Sequence, residues 1–172
     1  MLGAQEEGGS TMGLKYRANA LLAGGGLLAG ALFQPAVAAN DIVLKNREDM
    51  KWEKMLPELG ADSPVYTILR VDPGSKATTL MIEFPKAMHI PKHTHEKSET
   101  HIILGGAHLF EHGGQQYDVK EHGYIYMPGK FEHEAWVPAG SKAVIILEDG
   151  WKVDWLDGGP TAKDVGKGAP VR

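Results

Sequence analysis

The stretch His93-Thr94-His95-Glu96-Lys97-Ser98-Glu99-Thr100-His101 decides how this chain is read. Of the eight histidines in the sequence, His89, His93, His95 and His101 fall within thirteen residues. Alternate residues of a strand share one face, so His93 and His95 point the same way. If the chain stays extended after a turn, Glu99 and His101 share a face too. Imidazole nitrogen with carboxylate oxygen is a ligand set for iron, manganese, zinc, nickel or copper. A lone His-x-His is a weak signal, and a Glu four residues on improves it. The bland alternative is a solvated strand end.

A second element lies far downstream: Gly123-Tyr124-Ile125-Tyr126-Met127-Pro128-Gly129-Lys130-Phe131-Glu132-His133. Together the two stretches resemble the motifs of the cupin superfamily. The first motif runs through Ala87, where glycine is usual, then His93, His95, Glu99 and Gly106. The second runs through Gly123, Pro128, Gly129 and His133, with Val137 where asparagine is usual. Sixteen residues separate the two, as in small bacterial cupins. Leu69-Arg70-Val71-Asp72-Pro73-Gly74, with Glu83-Phe84-Pro85, is similar to the anti-sigma-factor, ChrR-like branch. The resemblance spans roughly Val65 to Asp154. It implies an all-β cupin-type double-stranded β-helix, a jelly-roll barrel, in one domain. It also implies one divalent transition metal held by His93, His95, Glu99 and His133. Spacing alone points to the first three; His133 comes only through the motif. The resemblance further suggests Glu99 as a base that can leave the metal. His101, on the Glu99 side of the strand, is read as an outer partner, an alternative ligand or a pocket wall. Glu99 and His101 are therefore the candidate catalytic side chains.

The rest of the sequence agrees with a β fold. Val65–Val71, Thr78–Phe84, Thr100–Leu104, Tyr124–Met127 and Ala143–Leu147 are alternating or β-branched runs. Turn signals such as Asp72-Pro73-Gly74, Gly105-Gly106 and Pro128-Gly129 separate them, and short strands at this spacing predict a sandwich or barrel. Glycine at 22 and proline at 10 also favour turns over helices. His89 reads as a satisfied surface histidine, with the pocket rim as the alternative, and His108, His112 and His122, in or beside glycine turns, as exposed. Trp136, three residues past His133, is a candidate pocket wall.

Residues 1–38 read as a signal peptide. Lys15 and Arg17 precede an apolar run from Ala18 to Phe33, and Ala36-Val37-Ala38 offers a small-x-small cleavage site. The run is short for a membrane span, which needs about 20 residues. The mature chain is expected to begin at Ala39, to be periplasmic or secreted, and to keep no stable membrane association. Residues 39–156 are expected to form the barrel and 157–172 a flexible tail.

A net charge of −4 with no basic stripe argues against nucleic acid as a partner. The absence of cysteine excludes thiolate nucleophiles and cysteine-held metal sites. The partner expected is a small-molecule substrate or ligand, and a homodimer is possible. The leading reading is an enzyme, dioxygenase-like or an isomerase or hydrolase, acting on a small oxygen-rich substrate. The rival is a non-catalytic cupin module that senses or binds a metal or ligand.

Overall fold

Thr78, Leu80 and Ile82 alternate with Thr79, Met81 and Glu83, and this period of two produces a strand whose first set is buried and whose second is half-exposed. The same rule builds most of the molecule. A computed structural model describes residues 42–169. The expected leader, 1–38, lies outside the described residues, as do 170–172.

Eleven strands are formed among the described residues. They are β1 (Glu53–Lys54), β2 (Val65–Val71), β3 (Thr78–Glu83), β4 (Met88–Thr94), β5 (Glu99–Gly105) and β6 (Ala107–His112). The remainder are β7 (Gln115–Lys120), β8 (Tyr124–Met127), β9 (His133–Val137), β10 (Lys142–Leu147) and β11 (Asp154–Trp155). They make two antiparallel sheets, ordered β1-β2-β3-β10-β5-β8 and β11-β4-β9-β6-β7. From β3 to β6 the chain changes sheet at every step, and it does so again from β7 to β10. This winding is the expected jelly-roll barrel.

The core fills the space between the sheets. Leu80, Ile82, Ile103, Ala143, Ile145 and Leu147 come from one sheet, and Met88, Ile90, Phe110, Ala135 and Val137 from the other. Val137, at the position where the motif expects asparagine, is core. Met127 and Phe84 are buried with it. At the β5–β6 corner Gly106 has φ +76°, and a Cβ there would lie 2.4 Å from Ser141 Oγ. Only glycine satisfies both conditions.

Two residues are placed otherwise than their sequence surroundings suggested. His108 is 1% exposed, not surface. It is the second residue of β6, in step with Phe110, so the pleat turns it inward despite the glycines before it. Trp136 is out of step with His133, Ala135 and Val137, and its ring stacks outside the barrel on His89 at 4.8 Å. It does not wall the metal site. His89, read as a satisfied histidine, has Nε2 2.7 Å from Glu134 and Nδ1 3.4 Å from Asp164.

The expected flexible tail also differs, since residues 157–169 fold back on the barrel. Thr161 caps a helical turn at Ala162–Asp164. Val165 bridges Met88, and the Gly166 amide donates to the Ala87 carbonyl. Apolar content is low there, as the sequence indicates, but polar anchoring replaces it. Asp164 accepts from Thr161 and Lys167 and faces His89, and these partners hold its carboxyl down at about 2 although burial opposes this.

Candidate metal centre

The antiparallel register of β4 and β9 sets His93 directly opposite His133. His95 follows one residue after β4, and Glu99 opens β5. A tight contact joins the two regions. The Lys130 amide donates to the His95 carbonyl, and a Cβ on Gly129 would lie 2.6 Å from the Glu96 carbonyl oxygen. The glycine of Pro128-Gly129 thus lets the turn before His133 press against the backbone between His95 and Glu99.

One ligand atom from each of His93, His95, Glu99 and His133 lies within 4.8 Å of the others, and all four residues are buried. Glu99 Oε2 is 3.3 Å from His95 Nε2 and 3.3 Å from His133 Nε2. It has no hydrogen-bond partner. Two donors each about 2.1 Å from one ion, and at roughly right angles or a little wider, stand about 3.0–3.3 Å apart. The donors therefore converge on an ion-sized point rather than bonding one another.

The far nitrogen of each imidazole is tethered. His93 Nδ1 lies 2.7 Å from the Pro91 carbonyl, His95 Nδ1 2.7 Å from the Lys152 carbonyl, and His133 Nδ1 3.0 Å from the Phe131 carbonyl. A carbonyl only accepts, so Nδ1 carries the hydrogen, and in the neutral ring Nε2 presents a lone pair to the centre. This is the outer arrangement that orients metal-binding histidines. In two cases the carbonyl lies two residues before the histidine, a spacing visible in the sequence but meaningless until the bend is known. Lys152 carries no sequence signal at all.

Protonation follows the same geometry. Burial first, and the neighbouring His133 second, push His93 down to about 3, so it is neutral at pH 7. Burial opposes ionisation of Glu99, but His101, His133 and His95 outweigh it and hold its carboxyl well below the usual range. Burial also opposes protonation of His133, yet Glu99 raises it above the ordinary imidazole value. Three imidazoles and one carboxylate, with one negative charge, suit a divalent transition ion. The residues present fit such a group.

His101 is inward-facing like Glu99, as strand parity requires. It stands outside the converging quartet. Its Nε2 is 2.9 Å from Glu99 Oε1, the oxygen turned away from the other imidazoles. Its Nδ1 has no carbonyl tether. The rings of Trp155, 5.0 Å from His93, and Phe110, 6.0 Å from His133, close the cluster off. A cavity of about 10 Å³, room for one water, adjoins it beside His95, Ser98, Leu147 and Lys152.

A family model described as ChrR Cupin-like domain matches residues 40–150. The chain belongs to this cupin family. No curated protein matches it. Among solved structures it is similar to an RmlC-like cupin from Shewanella frigidimarina, at 14% identity and TM-score 0.55, covering 65% of this chain and 95% of that one. It is also similar to an RmlC-like cupin from Ralstonia eutropha, at 16% identity and TM-score 0.54, covering 69% and 72%. A third similar structure is an acetylacetone dioxygenase from Acinetobacter johnsonii, at 13% identity and TM-score 0.56, covering 80% and 87%. At these identities the likeness is one of fold. In this cupin the His/Glu cluster is a possible site for a transition metal.

Proposed function

We propose that this cupin is an exported metal-dependent enzyme acting on a small oxygen-rich molecule, by dioxygenase-like chemistry or by isomerisation or hydrolysis. The observation that carries the reading is the quartet itself. Three neutral-capable imidazoles and one carboxylate occupy four positions and leave two on a six-coordinate ion, enough for a chelating substrate. A bound divalent ion would supply Lewis acidity and a template for two substrate oxygens. His93, His95 and His133 would hold it through Nε2, each kept in place by its Nδ1 hydrogen bond. Glu99 would balance part of its charge. Phe110 and Trp155 would keep bulk water away, which strengthens every electrostatic contact inside. The solved acetylacetone dioxygenase of the same fold makes diketones a reasonable first substrate class.

A second reading has its own support. The quartet is nearly closed to solvent, with its residues 3–7% exposed, and the adjoining cavity takes one water. A non-catalytic module that binds or senses a metal has no need of a wider opening. One experiment separates the two. The mature protein is loaded with each of iron, manganese, zinc, nickel and copper, metal per chain is measured, and oxygen uptake or substrate loss is followed against phenols and diketones. Turnover with one bound metal supports the enzyme. Stoichiometric metal with no turnover across the panel supports the module.

We extend the proposal to a periplasmic or secreted location for the mature chain, with a small-molecule partner and a possible homodimer. It rests on the charged start, apolar run and Ala36-Val37-Ala38 site. N-terminal sequencing of the native protein is expected to begin at Ala39; an uncleaved, membrane-bound product would overturn it.

A further inference from the structure

The three imidazoles of the quartet share one construction, a carbonyl on Nδ1 and a bare Nε2 facing inward. His101 is built differently. Neither ring nitrogen has a hydrogen-bond partner among the described residues, and the residue is 6% exposed. One polar atom comes close, Glu99 Oε1, 2.9 Å from Nε2. That is ion-pair distance, with the N–H off the line of a full hydrogen bond. His101 lies outside the quartet, so no ion would stand between Nε2 and Oε1, and with Glu99 ionised the facing nitrogen carries the hydrogen, because two lone pairs would repel. The His101 ring is also held by shape. Phe110 stands edge-on to it at 5.1 Å and 88°, and His108 at 5.5 Å and 73°. A buried imidazole wedged between two rings has little freedom to swing away from the carboxylate.

The two oxygens of Glu99 therefore have separate surroundings. Oε2 faces His95 and His133, each at 3.3 Å, and Oε1 faces His101. A carboxylate that can turn both oxygens to an ion takes two coordination positions; one whose second oxygen is engaged elsewhere takes one. We infer that His101 is a positioning residue that keeps Glu99 a one-oxygen ligand and so keeps two coordination positions available to a chelating, two-oxygen ligand. This rests on the reading of the quartet as a metal centre and deepens it, since it gives His101 the task of keeping room for the two-oxygen ligand. His101 holds no metal itself. Outer partners of this kind change affinity or activity by about 10–100-fold.

The test uses cobalt(II), whose visible spectrum reports coordination number, in the full-length mature protein. Two probes are titrated: acetohydroxamate, which binds through two oxygens, and azide, which binds through one atom. The variants are His101→Phe, which keeps a ring without nitrogens, His101→Leu, should the larger ring disturb folding, and His101→Gln, whose amide can still donate to Oε1. Near one cobalt per chain is expected throughout. In the Phe or Leu variant, acetohydroxamate affinity is expected to fall about tenfold or more while azide affinity stays within about threefold. The Gln variant is expected to recover most of the loss. Equal changes for the two probes, or no change for either, would overturn the assignment, since a merely structural role would not separate them. Failure of the unsubstituted protein to hold cobalt would bring down the metal-centre reading beneath it, and the metal content alone tells that outcome apart.

Discussion

Replacing His108 by leucine tests whether its burial is understood. The residue is 1% exposed, and neither ring nitrogen has a hydrogen-bond partner. Burial first, then the neighbouring His101, push it down to about 3, so at pH 7 the ring is neutral. A neutral imidazole carries one donor and one acceptor. Each unsatisfied buried group costs about 1–3 kcal/mol, so removing both gains about 2 kcal/mol or more. Repacking beside Phe84, Phe110 and His101 gives back up to about 1.5 kcal/mol. The expected net gain for His108→Leu is about 1 kcal/mol at pH 7.5. The pH dependence adds a second check. The folded value, about 3, lies below the ordinary 6.5. Below pH 6.5 the unfolded wild-type chain binds a proton that the folded one does not, so wild-type stability falls as pH drops from about 6.5 toward 3. At 1.36 kcal/mol per unit, pH 5 removes about 2 kcal/mol that the leucine variant keeps. The gap between the two proteins should therefore widen to about 3 kcal/mol at pH 5. Urea unfolding of both, treated alike with chelator, at pH 7.5 and 5.0 measures it. A less stable variant at pH 7.5 would refute the orphaned-group argument. A gap that stays constant between the two pH values would refute the depressed titration.

Removing His133 as His133→Ala should abolish stoichiometric metal binding while leaving the far-ultraviolet dichroism of the barrel, because the core is apolar and separate from the ligands; elemental analysis with dichroism decides it. Glu99→Gln should weaken binding of hard ions such as manganese most, whereas His101→Ala should retain metal; loss of metal in the His101 variant alone would make His101 the ligand. Because Glu99 raises His133 above the ordinary imidazole value, a proton competes with the ion there, and metal affinity should climb with pH until that proton is gone; competition titrations from pH 5.5 to 8.5 would show it, and a flat profile would contradict it. Asp164→Ala should free the C-terminal segment, destabilise the chain by about 1–2 kcal/mol, and speed amide exchange at Asp164 and Gly166 without changing metal content; unchanged exchange at those two amides would show that the carboxylate does not hold the segment.

What the sequence determined by itself follows a physical line. The six-stranded sheet was legible because its longer strands alternate apolar with polar residues or are β-branched, as in Thr78–Glu83 and Lys142–Leu147. Gly105-Gly106 and Pro128-Gly129 marked real turns for steric reasons that act locally. The ligand spacing from His93 to Glu99, with His133 supplied by the motif, named the quartet because strand period and turn length are local properties. The five-stranded sheet is different. Its strands carry His93, His108 and His133 inward and Glu111, Gln115, Asp118 and Lys120 along their length, so no apolar alternation announces them. They are strands because the first sheet needs a cover and because β4, β9 and β6 complete one another's backbone pairing. Parity placed Glu99 and His101 on one face and could go no further. Which of them reaches the centre depends on depth along the barrel, and that is set by the pairing of β5 with β8 and β10 and by the close approach at Gly129. The Lys152 carbonyl behind His95, the burial of His108 and the anchoring of Asp164 on His89 join residues 57, 7 and 75 positions apart from their partners or neighbours: Lys152 from His95, His108 from His101, Asp164 from His89. No local pattern names such partners, because they meet only once the chain has folded.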